Sequence, residues 1–512
     1  MTLPPAPKFN PAVMVVGTTS HAGKSLLTAV ICRLLARRGY RVTPFKGQNM
    51  ALNAYVTQAG GEIGYAQAVQ AWAAGVEPQV AMNPILLKPQ GDMTSQVILR
   101  GQAVGKTGAT DYYRDYFDRG WQAICDSLAD LAQVFEAIVC EGAGSPAEIN
   151  LKHRDLTNMR IATYLQARTV LVADIDRGGV FAHIVGTLEL LEPAERALIN
   201  GFVINKFRGQ RSLLQSGLDW LEARTGIPVL GVIPYLETQL PAEDSLDLFD
   251  RRTSKSQADL EIAVIQFPRI ANFTDFDPFL SEPSVKLCYV KPGEPLGQPD
   301  AVILPGSKTT ISDLQTLIKT EMATQLQDYA AAGGTIFGIC GGMQILGKEI
   351  ADTEGLEGIA GTWPGLGLLP LTTIITPAKI TQQRQATIQY PITSPITGYE
   401  IHQGETDFDH RGDNHDLFAE PGLGMVNASQ TLWGTYLHGL FDNGQWRRAW
   451  LNQLRAKKSL PPLPTAISNY DQQRDLHLSQ ITDLVAPHLN LDLLLEPERN
   501  RPKSKSETTS AN

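Results

Sequence analysis

The chain has 512 residues, of which 43% are hydrophobic, and a formal net charge of −9. That length exceeds one compact core and predicts two or three domains, while the acidic balance argues against a general nucleic-acid binder. With no long uncharged apolar run and five scattered cysteines (Cys32, Cys125, Cys140, Cys288, Cys340) lacking any CxxC pair, the composition excludes a membrane-spanning chain, a disulfide framework and a zinc-cysteine site, and predicts a cytoplasmic protein.

Ala12–Val16 reads as a buried strand, Gly17-Thr18-Thr19-Ser20-His21-Ala22-Gly23-Lys24-Ser25 as a glycine-bounded loop, and Leu26–Arg38 as a helix. Strand, loop and helix in that order form the context of a P-loop, whose backbone N–H groups cradle phosphate oxygens. Lys24 would reach the terminal phosphates and Ser25 would ligate Mg²⁺. Five residues separate Gly17 from Gly23, so Thr18 stands where the common motif has its first glycine.

Strands follow at Arg41–Lys46, Phe135–Cys140, Thr169–Ala173, Gly201–Ile204 and Val229–Ile233, with a helix at Ile63–Ala74. Short apolar strands separated by helical lengths predict parallel βαβ units, with ligands bound at the C-terminal strand ends. Glu141 at one such end is either a second Mg²⁺ ligand or a turn carboxylate. Lys46 is either a phosphate or carboxylate ligand or a surface lysine, and Asn205-Lys206 either reads a base or forms a solvated turn. The stretches Lys46–Asn53, Met82–Gln90 and Pro146–Leu151 mix amides, charge and apolar residues, which suits a large ligand with apolar and amide edges.

Glu237–Gln257 is polar and aperiodic and predicts the domain boundary, giving a first domain over 1–250, a second over 258–450 and a C-terminal extension over 451–512. In the second half, Leu260–Phe267 and Ala301–Leu304 read as strands, and Ile311–Ile318 and Met322–Ala332 as helices. Gly338-Ile339-Cys340-Gly341-Gly342 has the shape of a nucleophile elbow, though a lone cysteine is also often a packed apolar residue. A cysteine nucleophile needs a base, and His438 and His402 lie in the most structured contexts. The fold class expected is α/β: a P-loop parallel-sheet domain followed by a second α/β domain.

These residues carry a resemblance. Cys340 in Gly-Ile-Cys-Gly-Gly, the turn Pro305-Gly306 and His438 in Tyr-Leu-His-Gly-Leu-Phe resemble a class I glutamine amidotransferase domain. The resemblance implies that Cys340 is the nucleophile, His438 its base, and the N–H groups near Gly306 and Gly341 the oxyanion hole. Such domains usually carry a glutamate two residues after the histidine; here that position is Leu440, which leaves Glu400 and Glu405 as candidates to orient His438. The first half resembles dethiobiotin synthetase-like P-loop enzymes. By that likeness Thr18, Gly23, Lys24, Ser25, Lys46 and Asn205 line the ATP site, Ser25 and Glu141 hold Mg²⁺, and Glu62 is a candidate for a further acidic ligand.

Both domains in this order, with the Gln48-Asn49-Met50 and Asn83–Pro89 stretches, resemble the cobyrinic acid amidotransferase family from about Ala12 to about Leu454. The resemblance implies ATP- and glutamine-dependent amidation of adenosylcobyrinic acid a,c-diamide at its b, d, e and g carboxylates, with no nucleic-acid or membrane partner. Alternatives are the family branch that amidates the a and c carboxylates and, more remotely, a P-loop scaffold ATPase carrying an inactive amidotransferase-like domain. Oligomeric state is left open, a homo-oligomer included.

Overall fold

The computed structural model describes residues 5–90, 94–236, 258–358, 360–410 and 413–496. In it Ala12–Gly17 is a wholly buried strand near the middle of a six-stranded sheet. The order across that sheet is Val229–Pro234, Ile199–Phe207, Arg168–Asp174, Ala12–Gly17, Ala137–Glu141 and Val42–Phe45. Every neighbouring pair is parallel. A parallel sheet must be covered on both faces. Accordingly Met14, Val16, Ile138 and Leu171 face one apolar cluster, while Val13, Val15, Val139 and Val170 face another.

The second sheet runs Val285–Val290, Leu260–Ile265, Ala301–Leu304, Thr335–Ile339, Leu432–Thr435, Gly424–Asn427 and Asn414–Asp416. The first five of these strands are parallel and the last two join antiparallel. A long hairpin, Leu371–Ile388 with Ser394–Phe408, reaches from this half over the first.

Three expectations shift. The helix expected from Ile63 starts at Tyr65, because Glu62–Gly64 pairs with Ala54–Val56 instead. The stretch at 48–50 is not a loop: Gln48–Met50 pairs with Ile85–Leu87 in a small four-stranded sheet. The segment after 450, read as an extension, includes the helices Tyr470–Val485 and Leu491–Leu495. Their Ile481, Val485, Leu491 and Leu494 complete the apolar cluster beneath the P-loop helix, and Arg33 of that helix pairs with Asp475. The stretch Glu237–Gln257 and the tail from Arg499 lie outside the described residues.

Candidate active site

Parallel pairing brings three distant motifs together. Leu304 is paired with Gly338 and Ile339 with Thr435, so the Pro305-Gly306 turn, Cys340 and His438 all follow the C-terminal ends of adjacent strands. Cys340 adopts φ 51°, a strained conformation for a residue with a side chain, and its N–H bonds Thr435 O at 2.7 Å. The helix Gly341–Leu346 starts at once. Gly342 is required there: a Cβ on it would lie 2.0 Å from Leu304 O.

The Cys340 sulfur lies close enough to His438 to raise its pKa, and 3.7 Å from Ile401 O. His438 Nδ1 sits 2.7 Å from Asp275 Oδ2, and the other Asp275 oxygen accepts the Gly439 N–H at 2.8 Å. On the far side of the ring, Asn272 Nδ2 is 3.4 Å from Nε2. Cys340, His438, Asp275 and Asn272 are all buried. Burial alone would lower the imidazole pKa, but the charge and hydrogen bond of Asp275, and then Cys340, raise it to about 10. The site thus favours imidazolium beside the sulfur.

The orienter is therefore Asp275, not Glu400 or Glu405. Glu400 bonds Gln382, Arg384 and His402, and Glu405 is exposed. His402 stacks on Tyr436 at 3.6 Å rather than reaching the sulfur. Gly341, next to Cys340 in the chain, packs against the Gly306-Ser307 turn. A Cβ on Gly306 would be 3.2 Å from His438 Cε1, and one on Gly341 would be 3.1 Å from Ser307 N. The Gly306-Ser307 turn, Gly341 and the His438 ring are therefore packed closely together.

The second site lies at the P-loop. Gly23 takes φ 98°, and a Cβ on it would lie 2.0 Å from Asn205 Nδ2. Asn205 Nδ2 donates to Ala22 O at 2.9 Å, so this side chain braces the loop from behind. The Thr18 N–H bonds Val172 O at 2.9 Å, and the Thr18 hydroxyl is buried with no hydrogen-bond partner among the described residues. Lys24 Nζ bonds Thr19 O and Gly144 O, each at 3.1 Å. Ser25 Oγ donates to Glu141 Oε1 at 2.8 Å, and Lys46 Nζ lies 3.0 Å from the same oxygen. Gln70, which sequence reasoning missed, donates to the other Glu141 oxygen.

Ser25 and Glu141 are thus a hydroxyl and a carboxylate side by side at a phosphate loop. That donor set fits Mg²⁺, which takes one or two protein oxygens and completes its shell with phosphate and water. Among the described residues no group of three His, Cys, Asp or Glu gathers as a metal site. Glu62 is not at this site: it is buried and binds Lys88 (3.0 Å) and Lys379.

The two halves meet beside His438. Ala54 N donates to Asn272 Oδ1 (3.0 Å), Phe273 N to Asn53 Oδ1 (2.9 Å) and Tyr399 OH to Ala54 O (3.3 Å). Ala51, Ala54, Val56, Leu86 and Ile98 of the first half pack on Tyr399 and Ile401 of the second.

Residues 13–246 match the CobQ/CobB/MinD/ParA nucleotide binding domain, and residues 261–446 match the CobB/CobQ-like glutamine amidotransferase domain. The chain is 70% identical to the cobyric acid synthase of Thermosynechococcus vestitus, over 94% of its own length and 98% of that protein's. The chain belongs to the cobyric acid synthase family. A second member, from Acaryochloris marina, is 68% identical over 94% of this chain and 99% of its own length. The Synechocystis cobyric acid synthase is 64% identical over 96% and 99%. In this family setting the nucleotide-binding half and the amidotransferase half form the two parts of a glutamine-hydrolysing carbon–nitrogen ligase.

Proposed function

We propose that the chain converts adenosylcobyrinic acid a,c-diamide to adenosylcobyric acid, amidating the b, d, e and g carboxylates at the expense of ATP and glutamine. One observation carries the reading: a Cys340–His438–Asp275 array in one half and a P-loop in the other half, hydrogen-bonded to it, occur in a chain similar along its length to cobyric acid synthases.

The Cys340 thiolate attacks the amide carbon of glutamine. N–H groups at the Gly306-Ser307 turn and at Gly341 receive the oxyanion. Imidazolium at His438, held by Asp275, protonates the departing nitrogen, and ammonia leaves with a thioester on Cys340. Water then hydrolyses the thioester to glutamate and restores the thiol.

At the P-loop, Lys24 and the backbone N–H groups of Thr18–Ser25 hold the ATP phosphates, and Lys46 lies beside Ser25 and Glu141 to neutralise charge. Mg²⁺ bound by Ser25 and Glu141 would supply charge neutralisation on the phosphate oxygens. The substrate carboxylate takes the γ-phosphoryl group, giving an acyl phosphate and ADP; ammonia displaces phosphate to leave the amide. Water competes with ammonia for the acyl phosphate, so ammonia has to reach it by a sheltered route.

The test is mass spectrometry of products from adenosylcobyrinic acid a,c-diamide, ATP, Mg²⁺ and glutamine. Successive amidation ending at adenosylcobyric acid is expected. Amidation of cobyrinic acid at a and c, with the diamide left untouched, would overturn the reading in favour of the other family branch.

A further inference from the structure

One residue of the nucleotide-binding half is gripped by two side chains that bracket the catalytic histidine. The Ala54 N–H donates to Asn272 Oδ1 at 3.0 Å, and the Ala54 carbonyl accepts the Tyr399 hydroxyl at 3.3 Å. Asn272 Nδ2 in turn lies 3.4 Å from His438 Nε2. The Tyr399 ring stacks on the imidazole, with centroids 5.3 Å apart and planes 19° from parallel. The residue before Ala54 adds a second hold: Asn53 Oδ1 accepts the Phe273 N–H at 2.9 Å. Asn53, Ala54, Asn272, Tyr399 and His438 are all buried.

The turn held in this way also carries the acid. The Asp275 N–H bonds Asn272 O at 3.0 Å. Asn272 and Asp275 thus reach the two nitrogens of one ring from a single turn, and the nucleotide-binding half holds that turn at two points.

Hydrogen-bond direction fixes what Asn272 offers. A backbone N–H can only donate, so the Asn272 atom facing Ala54 is its oxygen. The NH₂ group is left for His438, where it too can only donate. An Nε2 that receives it carries a lone pair, which places the proton of the neutral ring on Nδ1, against Asp275. That is the form able to take the Cys340 proton. At 3.4 Å the contact is long enough to steady the lone pair without locking it. Once Nε2 is protonated, two donors face each other, so Asn272 offsets part of the rise that Asp275 and Cys340 impose on His438. The other titratable group on the ring is Tyr399, whose own surroundings include Asp275, Tyr65, Asp442 and Tyr55.

We propose that Ala54 is a positioning residue for the glutaminase reaction: through Asn272 and Tyr399, its peptide groups hold His438 with Nδ1–H on Asp275 and Nε2 unprotonated for Cys340. The inference rests on Cys340 and His438 being nucleophile and base. It adds that the base is fully positioned only where the nucleotide-binding half is docked on the turn at 272–275.

The experiment measures glutamine-driven and ammonium-driven amidation by the full chain carrying Ala54→Pro, Asn272→Leu or Asn272→Asp. Ala54 lies opposite Gly64 in a two-stranded pair and spends its N–H on Asn272, so proline removes that hydrogen bond without removing a rung between the strands. Ala54→Pro and Asn272→Leu should lower glutamine-driven kcat by about 3- to 10-fold, the value of one hydrogen bond, with KM for glutamine and ammonium-driven turnover unmoved. The alkaline limb of the glutamine-driven profile should move to higher pH in Asn272→Leu. It should move further in Asn272→Asp, whose second oxygen would accept from the imidazolium. A loosened fold would not order the two variants in this way.

An unchanged ratio of glutamine-driven to ammonium-driven turnover in Ala54→Pro and Asn272→Leu would overturn the proposal. So would a raised KM for glutamine at constant kcat, which would place Asn272 in the glutamine pocket, or an alkaline limb that stays or falls. If Ala54→Pro loses ammonium-driven turnover as well, Tyr399→Phe, which deletes only the hydroxyl on Ala54 O, is read in its place. Failure of the underlying reading is seen separately, as glutamine use that survives Cys340→Ala.

Discussion

His438 is held at both ring nitrogens, by Asp275 on one side and by Asn272 on the other. Leu440 stands where relatives of the amidotransferase class have an acid, and Asp275 supplies that acid from another strand end. Asp275→Asn should lower glutamine-driven turnover by about 10²- to 10⁴-fold, the range for a displaced general acid–base group. It should also move the alkaline limb of the rate profile to lower pH, because the carboxylate that raises the His438 pKa to about 10 is gone. Ammonium-driven turnover should persist; an unmoved alkaline limb would remove Asp275 from the site. Glu141→Gln should raise the Mg²⁺ concentration needed for half-maximal amidation, and an unchanged Mg²⁺ titration would contradict its role as ligand. At this scale the sequence was legible where chemistry imposes a local pattern. Cys340 needs glycines around a strained turn, and Lys24-Ser25 needs a strand before and a helix after. Asp275 lies 163 residues from His438, and its link to the histidine exists only through tertiary packing. Its one signal is an Asn-Phe-Thr-Asp-Phe-Asp-Pro turn soon after a buried strand, which alone suggests a cap or loop.

Cys340, Glu141, Lys46 and Asn205 stand at or just past the C-terminal ends of parallel strands, and Lys24 and Ser25 open the helix that follows one, whereas Asp275 lies in a short helical turn after an antiparallel pair. The parallel strands were readable because double-sided burial leaves unbroken apolar runs such as Ala12–Val16. The small strands at 48–50, 54–56 and 62–64 were not, since their few polar residues gain order only by pairing with distant partners. The terminal helices taught the same lesson. Their patterning was visible, but the face they cover was not. Leu494 is fully buried against the cluster under the P-loop helix. Leu494→Ala should therefore destabilise the nucleotide-binding half by about 2–5 kcal/mol. Domain-resolved hydrogen exchange checks this, and loss of protection confined to the amidotransferase half would contradict the packing.

The two halves are joined by backbone hydrogen bonds, an apolar wall and the Glu62 ion pairs. Burial works to raise the Glu62 pKa, but Lys379 and Lys88 overcome it and hold the pKa at about 2, against an ordinary 4.5. A depressed carboxylate stabilises the fold fully above its unfolded value and loses that contribution as pH falls through its folded value. Glu62→Gln should thus be less stable than the parent by about 3 kcal/mol near neutral pH, as when one partner of a buried pair is removed. The gap should close between about pH 4.5 and pH 2, and a gap independent of pH in denaturant titrations would count against the tie. Domain order and joint chemistry could be read along the chain from its motifs, whereas the interface could not, because its residues carry no motif. The central claim is that one chain releases ammonia at Cys340 and consumes it at the P-loop. Its most direct test is Cys340→Ala assayed for amidation with glutamine and then with ammonium. Cys340→Ala should show no turnover with glutamine and near-parental turnover with ammonium; full glutamine-dependent amidation by the variant would contradict ammonia release at Cys340.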